Sequence, residues 1–428
     1  MTQRQRAAHY AVVAVIVGAS YCIGVERVLF HPDESQWIAT SCYLEALLGE
    51  RIDEIRSDIP RPLWGEGYVT LTQPPLARYV IGVGRRLGGF GVADLNGMWN
   101  FHVDAQANEA AGNIPGTRLL LWSRLPMAIL SIATGLLFFS IAWRCAGLMG
   151  GYVFALGFAF NPYLLQILRR AMSEATLTFF AVLVLVAAEG AVRAFRTVDL
   201  RDTPLRENIR LSAWWLAAGL CCGLAGAAKL NGLLMAGGAA FAAWVAAHCV
   251  AGESPPMAQR CAAFVAIGIV LAATAVAFVA PNPYLYPDPA RRTVHMGRSR
   301  VAGMKIQQAV YPEARLDGIT DRARAAARRV FSQHAILQFP GARVVSGGFT
   351  LVGFLVLVRR ALRSVKERRP GTEFVVVVLG ASLVVPAILT PLDWDRYYLF
   401  PVLFAGLCLA VGVSAATELA LTRTASST

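Results

Sequence analysis

The feature that most constrains this chain is a recurrence. Apolar runs of about 17 to 23 residues, the length a helix needs to cross a hydrocarbon core of roughly 30 Å, return along its 428 residues. They lie near residues 8 to 30, 119 to 141, 148 to 165, 174 to 193, 212 to 228, 231 to 250, 261 to 280, 346 to 358, 373 to 390 and 398 to 416. The spacing predicts an all-α polytopic membrane protein of about ten transmembrane helices, read as one domain over residues 1–428. Charge agrees: only 16% of residues are Asp, Glu, Lys or Arg and mean hydropathy is +0.50, where a soluble domain carries roughly a quarter charged residues. Intrinsic disorder, collagen and a small disulfide scaffold are excluded, and a net charge of +13 in so apolar a chain does not describe a nucleic-acid binder. The eight cysteines fall mostly inside apolar runs and none has metal-ligand spacing.

Orientation follows from the basic residues. Arg4 and Arg6 precede the first run, which has no clear small-residue cleavage site and reads as a retained helix. Counting from a cytoplasmic N-terminus puts Arg193, Arg196, Arg201, Arg206 and Arg210 in one cytoplasmic loop, and Arg359 to Arg369 in another, as the positive-inside rule requires. Two long segments, 31–117 and 281–345, then lie outside, with smaller outside turns near 162 to 173 and 391 to 397. The second long segment carries eleven basic residues between Arg291 and Arg343. They read either as a solvated loop lying on phospholipid or as a site for an anionic ligand or lipid headgroups.

All the polar clusters fall on that outer side. After the first span comes His31-Pro32-Asp33-Glu34-Ser35, then Gln36 to Leu48 with apolar residues at helical spacing. This predicts an interfacial helix with Trp37 at headgroup depth. Asp33 reads as its N-cap; equally, the paired carboxylates Asp33 and Glu34 suit a general base or a divalent-cation site. A second interfacial helix opens at Gln73-Pro74-Pro75-Leu76, with Arg78 and Arg85 on the face away from its apolar stripe, suited either to water or to a phosphate. Glu174 heads a hydrophobic helix and Lys229 divides two apolar runs; each is either placed at the interface or paired in a cavity. Asp393-Trp394-Asp395-Arg396-Tyr397-Tyr398 precedes the last span and reads as an aromatic belt with ion pairs. A pore or carrier needs polar residues at mid-bilayer depth, and the spans almost lack them.

Taken in order, these fragments resemble the lipid-linked-sugar-dependent glycosyltransferases of the GT-C fold, above all the protein O-mannosyltransferase family and its bacterial relatives that modify lipid A or surface polysaccharide. Asp33-Glu34 resembles the family's acidic pair, and Pro74-Pro75-Leu76-Ala77-Arg78 its His-Pro-Pro-Leu-x-Lys segment, with Gln73 for the His and Arg78 for the Lys. Arg124-Leu125-Pro126, Arg169 before Glu174, Lys229 before Gly232, and Arg396-Tyr397-Tyr398 follow in the family's order. The resemblance implies an inverting glycosyltransferase in the bacterial inner (plasma) membrane, its active site on the extracytoplasmic face. Its partners would be a polyprenyl-phosphate-linked sugar donor, membrane lipid, and an acceptor glycan, lipid or protein. Asp33 would be the general base, with Glu34 and Glu174 beside it, and Arg78, Arg169, Lys229, Arg396 and Tyr397 would bind substrate, the cations meeting the departing phosphate. A divalent cation is left open. The other readings are a lipid or polysaccharide transporter or flippase without transfer chemistry, and an inactive membrane subunit that binds the lipid for a partner.

Overall fold

A computed structural model describes residues 1–49, 72–195, 205–250, 256–337 and 342–427. Among these no strand forms, and one isolated bridge joins Arg315 to Leu392. Helix α1 (Gln3–Cys22) leads into the first outer segment, where α2 (Pro32–Ala39) and α3 (Tyr43–Leu47) are joined by a 3-10 turn and followed by α4 (Leu76–Leu87) and α5 (Ala105–Ala110). Then come α6 (Thr117–Phe160), α7 (Pro162–Arg169), α8 (Ser173–Phe195), α9 (Leu205–Ala228), α10 (Leu234–Val250) and α11 (Pro256–Val279). The second outer segment holds α12 (Pro289–Val310) and α13 (Ile319–Arg328), before α14 (Ala342–Lys366), α15 (Thr372–Leu389) and α16 (Leu399–Ser427).

Seven of these helices are long and apolar enough to cross a membrane: α6, α8, α10, α11, α14, α15 and α16. Each of the ten expected runs falls wholly or mainly on helix, and the difference in number has local causes. The run 119 to 141 and the run 148 to 165 as far as Phe160 lie within α6, which breaks at Ala146 and Gly147, while the last residues of the second run are Asn161 and the start of α7. Gly147 takes φ 67°, a left-handed conformation that glycine enters without a Cβ clash. The run 8 to 30 falls on α1, whose first turns carry Arg4, Arg6 and His9, and the helix stops at Cys22, so residues 23 to 30 are not its continuation. Only Ser212–Ala228 of α9 is apolar. Conversely, the short run 346 to 358 is part of the 25-residue α14, so the second outer segment ends before residue 342. Of the arginines expected on the cytoplasmic side, Arg196 and Arg201 lie outside the described residues.

Helices α8 and α16 are central, with 72% of their apolar windows buried against 28% for α14 and α15. Helix α8 packs on α6, α9 and α10, and α16 on α6 and α14. Apolar side chains such as Ile129, Phe264 and Leu355 remain exposed around the bundle, as lipid-facing residues do.

The first outer segment departs from the expected surface arrangement. Trp37 and Ile38 are buried, and α4 turns two of its three arginines inward: Arg78 and Arg85 are both 0% exposed, while Arg86, Val83 and Leu87 face out. Arg85 pairs with Glu45 of α3 and donates to Ser41 Oγ at 2.8 Å. The two buried arginines find their polar partners inside the protein, where a charge without one is costly, and Tyr79 and Ile81 of the same helix are buried with them. Gly84 permits this, since a Cβ there would stand 2.5 Å from the Trp122 carbonyl oxygen of α6.

Candidate active site

The site begins at the start of α2. The N-cap is His31, not Asp33: Pro32 occupies the first helical position, where its missing N–H costs nothing. The Asp33 N–H donates to His31 Nδ1 at 3.1 Å, and the His31 N–H donates to Glu34 Oε2 at 3.1 Å. Relieved of capping, the Asp33 carboxylate accepts from Arg396 Nη1, a pair that is partly exposed at 19% and 21%. Burial, with the charges of Arg170 and Arg396, lowers the His31 pKa to about 4, so the ring is neutral at physiological pH.

Glu34, one residue on, lies in a different environment. It is 0% exposed and receives Arg124 Nε and Nη2 in two parallel hydrogen bonds of 2.7 Å, a bidentate fork. It also accepts the Ala171 N–H at 2.9 Å, and Arg124 donates further to the carbonyls of Val25 and Val28. These bonds tie α2 and the end of α1 to α6 and to the turn before α8. The two carboxylates therefore diverge. Among the described residues no group of three or more His, Cys, Asp or Glu gathers into a metal-binding set.

A second carboxylate–cation pair stands at the head of α8. Glu174 is buried and accepts from Lys229 Nζ at 2.8 Å. Lys229 sits where α9 gives way to the 3-10 turn Leu230–Leu233, its backbone extended, which swings the side chain off the helix axis. Its ammonium lies 5.8 Å from the Tyr397 ring. The guanidinium of Arg396 lies 5.7 Å from the same ring and 4.8 Å from that of Trp394. The Tyr397 hydroxyl accepts from Arg300 Nη2 of α12 at 2.8 Å. Asp33, Glu174, Lys229, Arg396 and Tyr397 are thus brought together from four distant segments.

Two of the sequence candidates are placed elsewhere. Arg78 donates to Thr40 Oγ1 at 2.9 Å and to the Gln73 carbonyl at 2.9 Å, with its guanidinium 4.8 Å from the Trp37 ring. Arg169 donates to the carbonyls of Leu165 and Ile23 and ties α7 to the end of α1. Its neighbour Arg170 instead feels Glu34, Glu174 and Asp395, because α7 stops at Arg169 and Arg170 is extended, at ψ 145°.

Behind these residues is a basic–acidic wall. Arg329 donates to Asp393 Oδ1 at 2.9 Å and also pairs with Asp395; His334 Nε2 is 3.2 Å from Asp395 Oδ1 and stacks on Tyr163, ring centroids 3.9 Å apart. The expected ion pairs of the 391–397 turn are these. Sequence reasoning missed His31, Arg170 and Arg300. The Pro at N1 was the available signal for His31; Arg300 had none, being one of eleven basic residues in its segment.

The fold is shared with solved membrane enzymes. The Archaeoglobus fulgidus oligosaccharyltransferase AglB, solved with an inhibitory peptide and a dolichol-phosphate, aligns at a TM-score of 0.52 and 14% identity, covering 99% of this chain and 52% of that one. ArnT from Cupriavidus metallidurans, bound to undecaprenyl phosphate, aligns at 0.51 and 14% identity, covering 97% and 60%. The chain thus spans about half the length of AglB. At such identities the likeness speaks for the fold, an all-α GT-C-type multi-pass membrane architecture. No curated protein matches the chain by sequence. A family model does: dolichyl-phosphate-mannose-protein mannosyltransferase matches residues 64–285, which is more than half of the chain. By that match, and with its cations and carboxylates gathered at one end of the fold, the chain belongs to the dolichyl-phosphate-mannose-protein mannosyltransferase family.

Proposed function

We propose that this chain is an inverting glycosyltransferase that moves a sugar from a polyprenyl phosphate to an extracytoplasmic acceptor, acting in a bacterial inner membrane with the site on the outer face. Family membership supports the reaction class, and the lipid phosphates bound to AglB and ArnT support the donor class. The acceptor is a protein, lipid or polysaccharide. Residues 1–428 act as one unit, with the described parts of the two long segments, 31–49, 72–116 and 281–337, over the site.

The observation that carries the reading is the partly exposed Asp33–Arg396 pair beside Glu174–Lys229. In the reaction the acceptor oxygen attacks the anomeric carbon, the bond from that carbon to the phosphate oxygen breaks, and the acceptor proton passes to Asp33. The polyprenyl phosphate leaves as an anion and needs no acid. Arg396 and Lys229, with Arg170 beside them, meet the growing charge. The donor's phosphodiester carries one negative charge, as the Asp33 carboxylate does, and can share Arg396 with it; the phosphate's charge grows toward two as the bond breaks, which draws Arg396 to the leaving group. Glu174 holds Lys229, and Tyr397 spaces the two cations. Glu34, Arg78 and Arg169 act as positioning residues for α2, α4 and α7.

The test uses purified protein and a polyprenyl-phosphate sugar labelled in the sugar. Wild type releases polyprenyl phosphate in step with acceptor labelling; Asp33→Asn binds the donor and transfers nothing. Wild-type transfer by the Asn variant, or donor cleavage without an acceptor product, overturns the reading.

A further inference from the structure

Helix α12 has two opposite faces with different fates. One stripe, Arg292, Met296, Ser299 and Gly303, is buried. Met296 belongs to an apolar cluster with Tyr79, Phe278 and Tyr284, and the Arg292 guanidinium lies over the Tyr284 ring at 5.0 Å. The opposite stripe, Val294, Arg298, Val301 and Lys305, lines an open groove, with the valines 53% and 50% exposed. Arg291, seven residues before Arg298, continues it and is also exposed. The stripe alternates an apolar side chain with a cation every three or four residues, which places all of them on one side of the helix.

We infer that this outward stripe of α12 lies in the membrane interface and takes the phosphate groups of anionic phospholipids. Three observations converge. Residues 289–310 contain five Arg or Lys and no Asp or Glu, so the helix is complementary to an anionic surface along its whole length. The transmembrane helix α11 ends at Val279, only ten residues before α12 starts, so α12 begins at the border of the bilayer. Exposed Val294 and Val301 are costly against water and favourable at the acyl boundary, while the long stems of Arg298 and Lys305 let their charges reach the headgroups. Each basic residue near such a surface contributes about 1 kcal/mol to attraction. Because Arg300 of the same helix holds the Tyr397 hydroxyl, the lipid contact would also set the height of the candidate site above the bilayer.

The experiment places an environment-sensitive fluorophore at Val301→Cys in a Cys22→Ser/Cys261→Ser background, in the full chain reconstituted in phosphatidylcholine vesicles with about a third phosphatidylglycerol. Nitroxide-bearing lipids should quench it and aqueous iodide should not. Arg298→Glu/Lys305→Glu should cut the lipid quenching at least twofold, as should pure phosphatidylcholine vesicles. Quenching by iodide alone would make the face solvated, and protection from both quenchers would mean that protein covers it; either overturns the inference. Lipid quenching unchanged by charge reversal and by lipid charge would remove the phosphate recognition. A label at Lys305→Cys in the same background serves if the valine site fails to fold. None of these readouts depends on glycosyl transfer.

Discussion

Two carboxylates that are neighbours in the chain, Asp33 and Glu34, have opposite surroundings. Glu34 is sealed, with both oxygens given to Arg124 and to backbone N–H groups, and neither partner has any exposed surface. Asp33 holds one cation, and both partners keep about a fifth of their surface open. The same contrast recurs further along, between Arg85–Glu45, sealed at 0% and 7%, and Lys229–Glu174, whose lysine is 25% exposed. A buried pair cannot exchange partners without leaving a charge uncompensated. A pair at an opening can, and the exchange is what a site binding a phosphate needs. The sealed pairs are fixed between helices; the open pairs are the ones that the proposed transfer uses.

The largest expected effect breaks the open side. Asp33→Asn should lower transfer by about 10²- to 10⁴-fold, the range for loss of a general base, with the thermal unfolding midpoint nearly unchanged because His31 does the capping. Arg124→Ala should act on the sealed side: about 3–5 kcal/mol of stability lost through the buried charge of Glu34, read as loss of folded protein in detergent. Equal loss of transfer per folded molecule in both variants would erase the distinction.

Arg396→Ala against Arg78→Ala sharpens it. The first should cost about 10²-fold in turnover, as for removal of one preorganised charge partner, at unchanged stability. The second should cost about 2 kcal/mol of stability through its lost buried hydrogen bonds, and Arg78→Lys should not restore it, since an ammonium cannot reproduce a planar fork stacked on Trp37.

A smaller effect concerns His31. Its folded pKa of about 4 lies below the ordinary 6.5, so between those values the unfolded chain binds a proton that the folded one refuses. Stability should therefore be full above pH 6.5 and fall progressively toward pH 4. His31→Asn, which keeps a capping oxygen, should flatten that slope in unfolding midpoints measured against pH. Smallest of all, Arg324→Ala should leave transfer within about twofold, since Arg324 is 82% exposed and its pair with Asp321 spans 3.8 Å.

Much of this was legible beforehand. Every expected apolar run falls wholly or mainly on helix, and Asp33, Glu174, Lys229, Arg396 and Tyr397 do converge. Which way the helices of the first outer segment turn was not. In water an apolar stripe marks the buried side, so the other face of α4 read as open; in the fold Arg78 and Arg85 go in and Val83 and Leu87 face out, while Tyr79 of the same stripe stays buried. Periodicity is the same in both cases, and only the packing partner decides.

The sequence by itself determined the order of the apolar segments and the residue types from which the proposed phosphate site is built, because these depend on local composition and the fixed thickness of a bilayer. The tertiary structure alone decided which of two adjacent residues does what. Consecutive residues on a helix point about 100° apart, so a small rotation of α2 separates the open Asp33 from the sealed Glu34. One extended residue after α7 likewise separates Arg169, bonded to α1, from Arg170, close to the site. That rotation is set by contacts hundreds of residues away, such as Arg396 on Asp33, which no local pattern contains.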